Sequence, residues 1–446
     1  MTGVDVGIIG GGLSGLSSAV DLALKGAKVA LIEQSPKLGG RSYSYTEPVT
    51  GDEVDNGQHV LLGAYHSLLR YLDMIGTRGL LGTEKALKLE FHHPERGRGK
   101  FQIPNLPGPI RLAAGMLGFR LLSFKDRLKL LDVGRALERW DEGLQKSLSC
   151  QSVEDWLSRA GQSEDARRSF WHPIAVSVMN DMPDVACALL FASALRKAFL
   201  GSQKESALLI PTVGQSRLYV EGAERLLSSH GAVIITGSEA AGVELQGSKV
   251  VGIRLKGGEV LETGSVISAV PYFALSKIVP PSFMGEPPFS SLDKFSSSPI
   301  ISIHLWFDRN FMDADYLGLI GKQLQWIFNR RSILNQAGKG TGCISAVISG
   351  AREAVDHPKE MLVSTAVREL NEVFPEARHA NLLHWVVIKE KRATFSPTCE
   401  AELHRPKPAT CIGNFYLAGD WTDTGLPATI EGAVMSGFRA SGMIGS

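Results

Sequence analysis

Three glycines and one acid carry the plainest chemical meaning in this chain. Gly10, Gly12 and Gly15 stand as GxGxxG in VDVGIIGGGLSGLSSAVDLALKGAKVALIE, and Glu33 follows 23 positions after Gly10. Glycines at this spacing permit a tight turn, a close approach of backbone N–H groups to a pyrophosphate, and close seating of a helix on a sheet. Leu13 and Ser14 share that turn, and Gln34 follows the acid. A carboxylate at Glu33 accepts from both ribose hydroxyls and repels a 2′-phosphate. The chemistry is dinucleotide binding.

These residues need particular elements to hold them. The apolar run Val4 to Ile9 predicts a buried parallel strand. Leu13, Leu16, Val20, Ala23 and Leu24 recur on one helical face, Gly26 ends the helix, and Lys28 to Ile32 predicts a second strand. Near the other end, Phe415 to Ala418 predicts a strand, followed by Gly419, Asp420 and a helix with Pro427 near its start. Ala433, Val434, Gly437 and Phe438 are expected on that helix's buried side. Between them, Gly231 to Pro271 predicts short alternating strands broken by glycine turns.

Composition narrows the remaining choices. The chain has 446 residues, enough for two domains, and its 48 glycines lack a collagen-like period. A net charge of +1 gives no global basic field for nucleic acid. Cys150, Cys187, Cys343, Cys399 and Cys411 are scattered with no CxxC, which argues against a metal site and for a reducing, cytoplasmic setting. The N-terminus does not read as a signal peptide, and no apolar run reaches the ~18 residues of a membrane span.

Two further stretches extend the nucleotide site. QSPKLGGRSYSY follows Glu33, and AGDWTDTGLPATIEGAV covers residues 418–434. Together they resemble FAD-dependent amine oxidases and carotenoid-type desaturases. The resemblance implies FAD, with Gly40 and Arg41 continuing the nucleotide site and Asp420 on the ribityl chain. It also implies amides near Thr429 and Ile430 at the pyrimidine side, Gly57 beside the ring, and the backbone of Ala240 at the base. DNGQHVLLGAY, WHPIAVSVMN and EKRATFSP, read with AGDWTDTGLPATIEGAV, are similar to the hydroxysqualene dehydroxylase family, squalene-associated FAD enzymes of bacterial hopanoid pathways. The fold so implied is α/β. A discontinuous Rossmann-like FAD-binding domain of glutathione-reductase type takes 1–95, 206–274 and 401–446. A mixed α+β substrate domain takes 96–205 and 275–400.

The resemblance further implies reductive removal of an allylic hydroxyl from hydroxysqualene, giving squalene. Such a reaction needs a dry apolar tunnel, a polar donor near the alcohol and a flavin face in reach. FWHPIAVSV, ALLFASALRKAFL, IISIHLWF and LLHWVVI are candidate tunnel walls and equally ordinary core. His59, Gln58, Asn180 and Asp181 are the candidate donors; a turn and N-cap at 55–59, and a helix end at NDMPD, explain the same residues structurally. GKGTGC (338–343) reads as a loop and not as a second nucleotide fingerprint, so a separate electron donor is expected. Ile103 to Leu131 mixes apolar residues with Arg111, Arg120, Lys125, Arg127 and Lys129, which suits peripheral contact with the inner membrane face or a plain solvated helix pair. A carotenoid-type desaturase, an amine oxidase and a flavin-containing lipid carrier are the competing readings.

Overall fold

The computed structural model describes residues 3–84, 86–106, 108 and 110–445. Its first sheet has seven strands. Val4–Ile9 lies between Val29–Ile32 and Val260–Ser268, parallel to both, and Val233–Ile235 extends the sheet beyond Val29–Ile32. These strands are continuous apolar runs because both faces are covered; Ile8, Ala30 and Leu31 are wholly buried. Val260–Ser268 changes partners along its length. Its first half pairs antiparallel with Lys249–Leu255, and its second half pairs parallel with Phe415–Leu417. The C-terminal strand thus reaches the N-terminal one through this long central element.

The first helix (Leu13–Leu24) and the last (Ile430–Ser441) cross at backbone contact. Ser18 Oγ donates to Gly437 O at 3.0 Å, and Ser17 Oγ donates to Val434 O at 3.2 Å. A Cβ on Gly437 would lie 2.1 Å from Ser17 Oγ and 2.3 Å from Ser14 O. Ser441 Oγ and Arg70 both donate to Asp21, so the crossing is tied to the helix His66–Met74 as well.

The second sheet also has seven strands, in the order Leu382–Phe395, Ser297–Phe307, Gly342–Ser349, Trp326–Asn329, Tyr316–Leu319, Lys88–His93 and Gly97–Gln102. The helix Lys359–Val373 packs its apolar side, Leu362, Ala366 and Leu370, on part of it. The helices between residues 110 and 200 form another core with Phe91, Phe101 and Phe328, in which the Phe101 and Phe119 rings each stand 5.0 Å from Phe170. Lys88–His93 belongs to this second sheet. The crossing out of the nucleotide half therefore falls before residue 88, earlier than the boundary at 95 expected from sequence, because the hairpin 88–102 satisfies its backbone groups against Tyr316–Leu319. The stretch 338–343 leads into the antiparallel strand Gly342–Ser349 and opens no helix.

Two buried ion pairs join the halves. Arg331 grips Asp52 at 2.7 and 2.9 Å, where Trp306 Nε1 also donates at 2.7 Å, and Arg330 meets Asp55 at 2.9 Å. Lys339 also reaches Asp52 at 2.6 Å, so removing Asp52, or either member of the Arg330–Asp55 pair, is what would leave a buried charge unpaired.

The bare crossing yields one expectation. Gly437→Ala should destabilise the protein by about 2–4 kcal/mol, since the clash is with backbone as well as side chain. Urea unfolding of the flavin-loaded protein measures it; a change below about 0.5 kcal/mol would refute the contact.

Candidate functional site

One cavity of about 930 Å³ runs between the two halves. Its nucleotide wall begins at the turn after Val4–Ile9. Gly10 adopts φ +105°, a conformation glycine supplies without strain. A Cβ on Gly15 would lie 1.9 Å from Gly10 O, so Gly15 seats the helix against the turn and does not itself face the cavity. Gly39 N donates to Gly11 O at 2.8 Å, and a Cβ on Gly40 would lie 3.0 Å from Gly12 Cα. Two glycine loops are thereby stacked backbone to backbone. A Cβ position on Gly12 has only Gly40 Cα near it, at 3.9 Å, so bare amide surface is left open to a ligand.

Glu33 is buried, accepting from Gly11 N at 2.7 Å and Ser35 N at 2.8 Å. Each carboxylate oxygen retains a lone pair for a ribose hydroxyl. Gln34 lies beside it on the wall, and Ser238 N donates to Glu33 O, which carries the chain round to Ala240, also on the wall.

The opposite wall comes from the C-terminal segment. Arg41 donates to Asp420 Oδ1 and to Ala393 O, both at 2.7 Å. Asp420 Oδ2 has no protein partner among the described residues and suits a ribityl hydroxyl. Arg41 thus holds the Asp420 carboxylate in place, in addition to bordering the cavity. Gly419, at φ +143°, has its N–H on Ser436 Oγ at 2.8 Å. Thr429 caps the last helix by accepting from Gly432 N at 3.0 Å, and Thr429 and Ile430 line the cavity at that helix's positive end.

Residues unremarked in the sequence hold this wall in place. Arg405, buried between Glu402 and the 420–426 loop, donates to Leu426 O at 2.7 Å, Asp420 O at 3.1 Å, Thr424 Oγ1 at 2.9 Å and Thr422 O. Glu431 accepts from Ser67 N and Leu68 N at 3.1 and 2.8 Å, satisfying the first turn of the helix His66–Met74, 364 and 363 residues away in the chain. Both side chains act on backbone groups of distant segments, for which the local sequence holds no signal.

The segment 55–59 crosses between the walls. Asp55 accepts from Ser44 Oγ at 2.7 Å, Gln215 N at 3.0 Å and Arg330 at 2.9 Å. A Cβ on Gly57 would meet Ser302 Oγ at 3.4 Å, and Gln215 Nε2 donates to Gly57 O. Gln58 Oε1 accepts from Arg330 at 2.5 Å while its Nε2 donates to His59 O at 3.2 Å. Gln58 is therefore engaged at both ends. His59 lines the cavity, and its Nδ1 is buried with no protein partner among the described residues. Burial, opposed in part by Asp55, holds the His59 imidazole down at about 4.

Asn180 and Asp181 separate. Asn180 ends the helix His172–Met179 in a left-handed conformation, φ 50°, and borders the cavity. Its amide is fixed by Thr394 Oγ1 at 2.8 Å and Gly350 N at 2.9 Å. Asp181 does not border the cavity, contrary to its candidacy as a donor. It is wholly buried, paired with Arg352 at 2.6 Å and bonded by Ser396 Oγ. The reversal at Asn180 puts the two side chains in different surroundings.

Beyond His59 and Asn180 the cavity is largely apolar. Ile174 and Val178 come from FWHPIAVSV, and Ala194, Leu195, Ala198 and Phe199 from ALLFASALRKAFL. IISIHLWF contributes only Ile300, and LLHWVVI contributes none, its Val387 being core of the second sheet. Tyr316, Trp326 and Phe328 complete the wall from a region without a sequence motif. Glycine cradle, ribose acid, free Asp420 oxygen and helix positive end together fit FAD.

His304 stands on the second sheet, buried, with no partner for Nε2 among the described residues, and is held at about 4 by burial and by Arg330 beside it. The unfolded chain protonates it near its ordinary 6.5, so between the two values the unfolded state binds more protons. Stability is then complete above about pH 6.5 and is lost as pH falls towards 4, by on the order of 3 kcal/mol. Urea unfolding at pH 7, 5.5 and 4.5 should record this slope together with the like contribution of His59, and His304→Asn should make it shallower by roughly half; an unchanged slope in the variant would exclude His304 as a source.

The flavin-containing amine oxidoreductase family matches residues 13–444. The chain is 31% identical to hydroxysqualene dehydroxylase of Rhodopseudomonas palustris, over 98% of each chain. It is 25% identical to 15-cis-phytoene desaturase of Synechococcus elongatus, over 97% of this chain and 94% of that one. An oxidoreductase from Methanosarcina mazei shares the fold, with a TM-score of 0.75 at 18% identity over 97% of this chain and 99% of the other. The chain is an FAD-dependent oxidoreductase that belongs to the flavin-containing amine oxidoreductase family and, within it, to the hydroxysqualene dehydroxylase family.

Proposed function

We propose that this chain removes the allylic hydroxyl of hydroxysqualene to give squalene. The observation that carries the reading is a single cavity, lined at one part by the FAD cradle and elsewhere by aliphatic and aromatic side chains, with His59 on its wall. The coarser reading, a flavin oxidoreductase of isoprenoid metabolism, has the support of relatives named for hydroxysqualene and for phytoene.

Bound FAD supplies hydride chemistry. The apolar lining excludes water, so a departing hydroxyl depends on the protein for hydrogen bonds. A neutral His59 can donate one to the alcohol oxygen, which strengthens as negative charge gathers there. Gln58 and Asn180, engaged elsewhere, hold backbone and wall in position. The balance is R–OH plus hydride plus a proton, giving R–H and water. Reduced FAD, held by the glycine cradle, Glu33 and Asp420, would supply the two electrons, and a separate donor would replenish them.

Hydroxysqualene mixed anaerobically with the dithionite-reduced protein should yield squalene and return the oxidised flavin spectrum. His59→Ala should slow this roughly 100-fold. A variant as fast as wild type removes His59 from the reaction. No squalene at all refutes the substrate. A second reading, desaturation of a polyene on the same scaffold, is favoured by the phytoene desaturase relative; it would appear as a product with one more double bond, formed from oxidised flavin.

A lipid-soluble substrate calls for access from a bilayer. Among the described residues no helix is long and apolar enough to cross a membrane. Ile110, Phe124 and Leu128 are exposed on the helices Ile110–Gly118 and Phe124–Arg139, beside exposed Arg120, Lys125 and Lys129. Arg111 and Arg127 are spent on Gly201 O and Leu117 O, and Lys129 pairs with Asp132 at 3.1 Å, so Arg120 and Lys125 carry the basic character of this face. We assign this face to peripheral contact with anionic lipid. The protein should float with anionic liposomes, and Phe124→Ser with Leu128→Ser should leave most of it at the bottom. Wild-type protein that never floats rules the contact out.

A further inference from the structure

Three buried polar atoms in and against the 55–59 segment have no protein partner among the described residues: His59 Nδ1, Gln215 Oε1 and Tyr219 Oη. Gln215 and Tyr219 stand four residues apart on the helix Gln215–Tyr219 and so share a face. Both are at most 1% exposed. The His59 and Tyr219 rings lie 6.3 Å apart between centroids, tilted by 45°. Gln215 is anchored to the same segment, with its N–H on Asp55 and its Nε2 on Gly57 O. That second bond fixes the amide orientation, because a carbonyl accepts only from the NH₂ end, and Oε1 is left over. Buried polar groups in native proteins find a partner, and where no side chain serves, an ordered water with two to four polar neighbours does.

We propose that one ordered water sits between Tyr219, Gln215 and His59 and that it fixes the imidazole tautomer. This rests on the reading of His59 as the donor to substrate. The hydrogen count closes in one way. Tyr219, which burial keeps protonated, donates its hydroxyl hydrogen to the water. The water spends its two hydrogens on Gln215 Oε1 and His59 Nδ1, neither of which has another donor. Nδ1 is then an acceptor, and the single proton of the neutral ring resides on Nε2. Nε2 is not among the buried partnerless atoms, so it is the nitrogen left to the cavity that His59 lines. Tyr219 and Gln215 are positioning residues: they touch neither substrate nor cofactor, and they decide which nitrogen can donate.

The test uses FAD-loaded protein labelled with ¹⁵N-histidine, with the His59 resonances identified by their loss in His59→Gln. A neutral ring protonated on Nε2 at about pH 7 is expected. Tyr219→Phe should shift those resonances towards a mixture of tautomers and lower kcat roughly tenfold, with KM changed less than about twofold. A wild-type ring protonated on Nδ1 overturns the proposal. So does a Tyr219→Phe protein with an unchanged ¹⁵N pattern. The wild-type tautomer needs no variant of Tyr219, so a misfolded variant still leaves a decision. Full turnover by His59→Gln alongside the expected tautomer would sink the catalytic reading and leave the water site standing.

Discussion

The crossing of the first and last helices, at a distance only a glycine allows, is the contact on which the site depends. Gly437 lies so near Ser14 and Ser17 that a single carbon would not fit. The serine hydroxyls then bond to carbonyls of the partner helix and use the short distance. Each helix begins at the cavity, one after Gly12 and one after Thr429. Their positive ends therefore open on one cavity, where they would suit a ligand that is anionic at its pyrophosphate and gains negative charge at its ring on reduction. A looser crossing would separate the two grips.

Around that contact the protein spends buried charge to fix loops. Arg405 satisfies carbonyls of the 420–426 loop, Arg41 restrains Asp420, and Arg330 with Arg331 fastens residues 52–58 to the second sheet. Guanidinium suits this work because its planar donors can serve several acceptors at once and it keeps its charge when buried. Much of the nucleotide wall is loop, residues 39–42 and 419–429, and loops by themselves would not hold a ring in register. The second sheet contributes differently, through side chains such as Tyr316, Trp326 and Phe328 that are large, rigid and apolar.

Much of the nucleotide half was legible because its residues act locally. The turn, helix, strand and acid between Val4 and Glu33 are contiguous, and each has a backbone reason to be what it is. The segment from Phe415 to Ser441 is similar, with strand, Gly419, Asp420 and capped helix in order. Among the chemical candidates, the outcome followed geometry. His59 and Gln58 came to the cavity, Asn180 borders it, and Asp181 went to Arg352. Adjacent residues at a helix end diverge, and composition holds no record of which one turns inwards. Tunnel walls were legible only in part, since a core residue and a lining residue need the same apolar side chain.

The sequence by itself determined the class of ligand: glycine spacing, a ribose acid and a second strand-to-helix turn dictate a dinucleotide through backbone geometry that spans few residues. Tertiary structure alone decided which side chains share its cavity. Arg41 found Asp420, Glu431 found the helix at His66, and Tyr219 found His59. Such partners are separated by long stretches of chain, and their meeting depends on how two sheets pack. That packing is a sum over many weak apolar contacts, and no short motif encodes it.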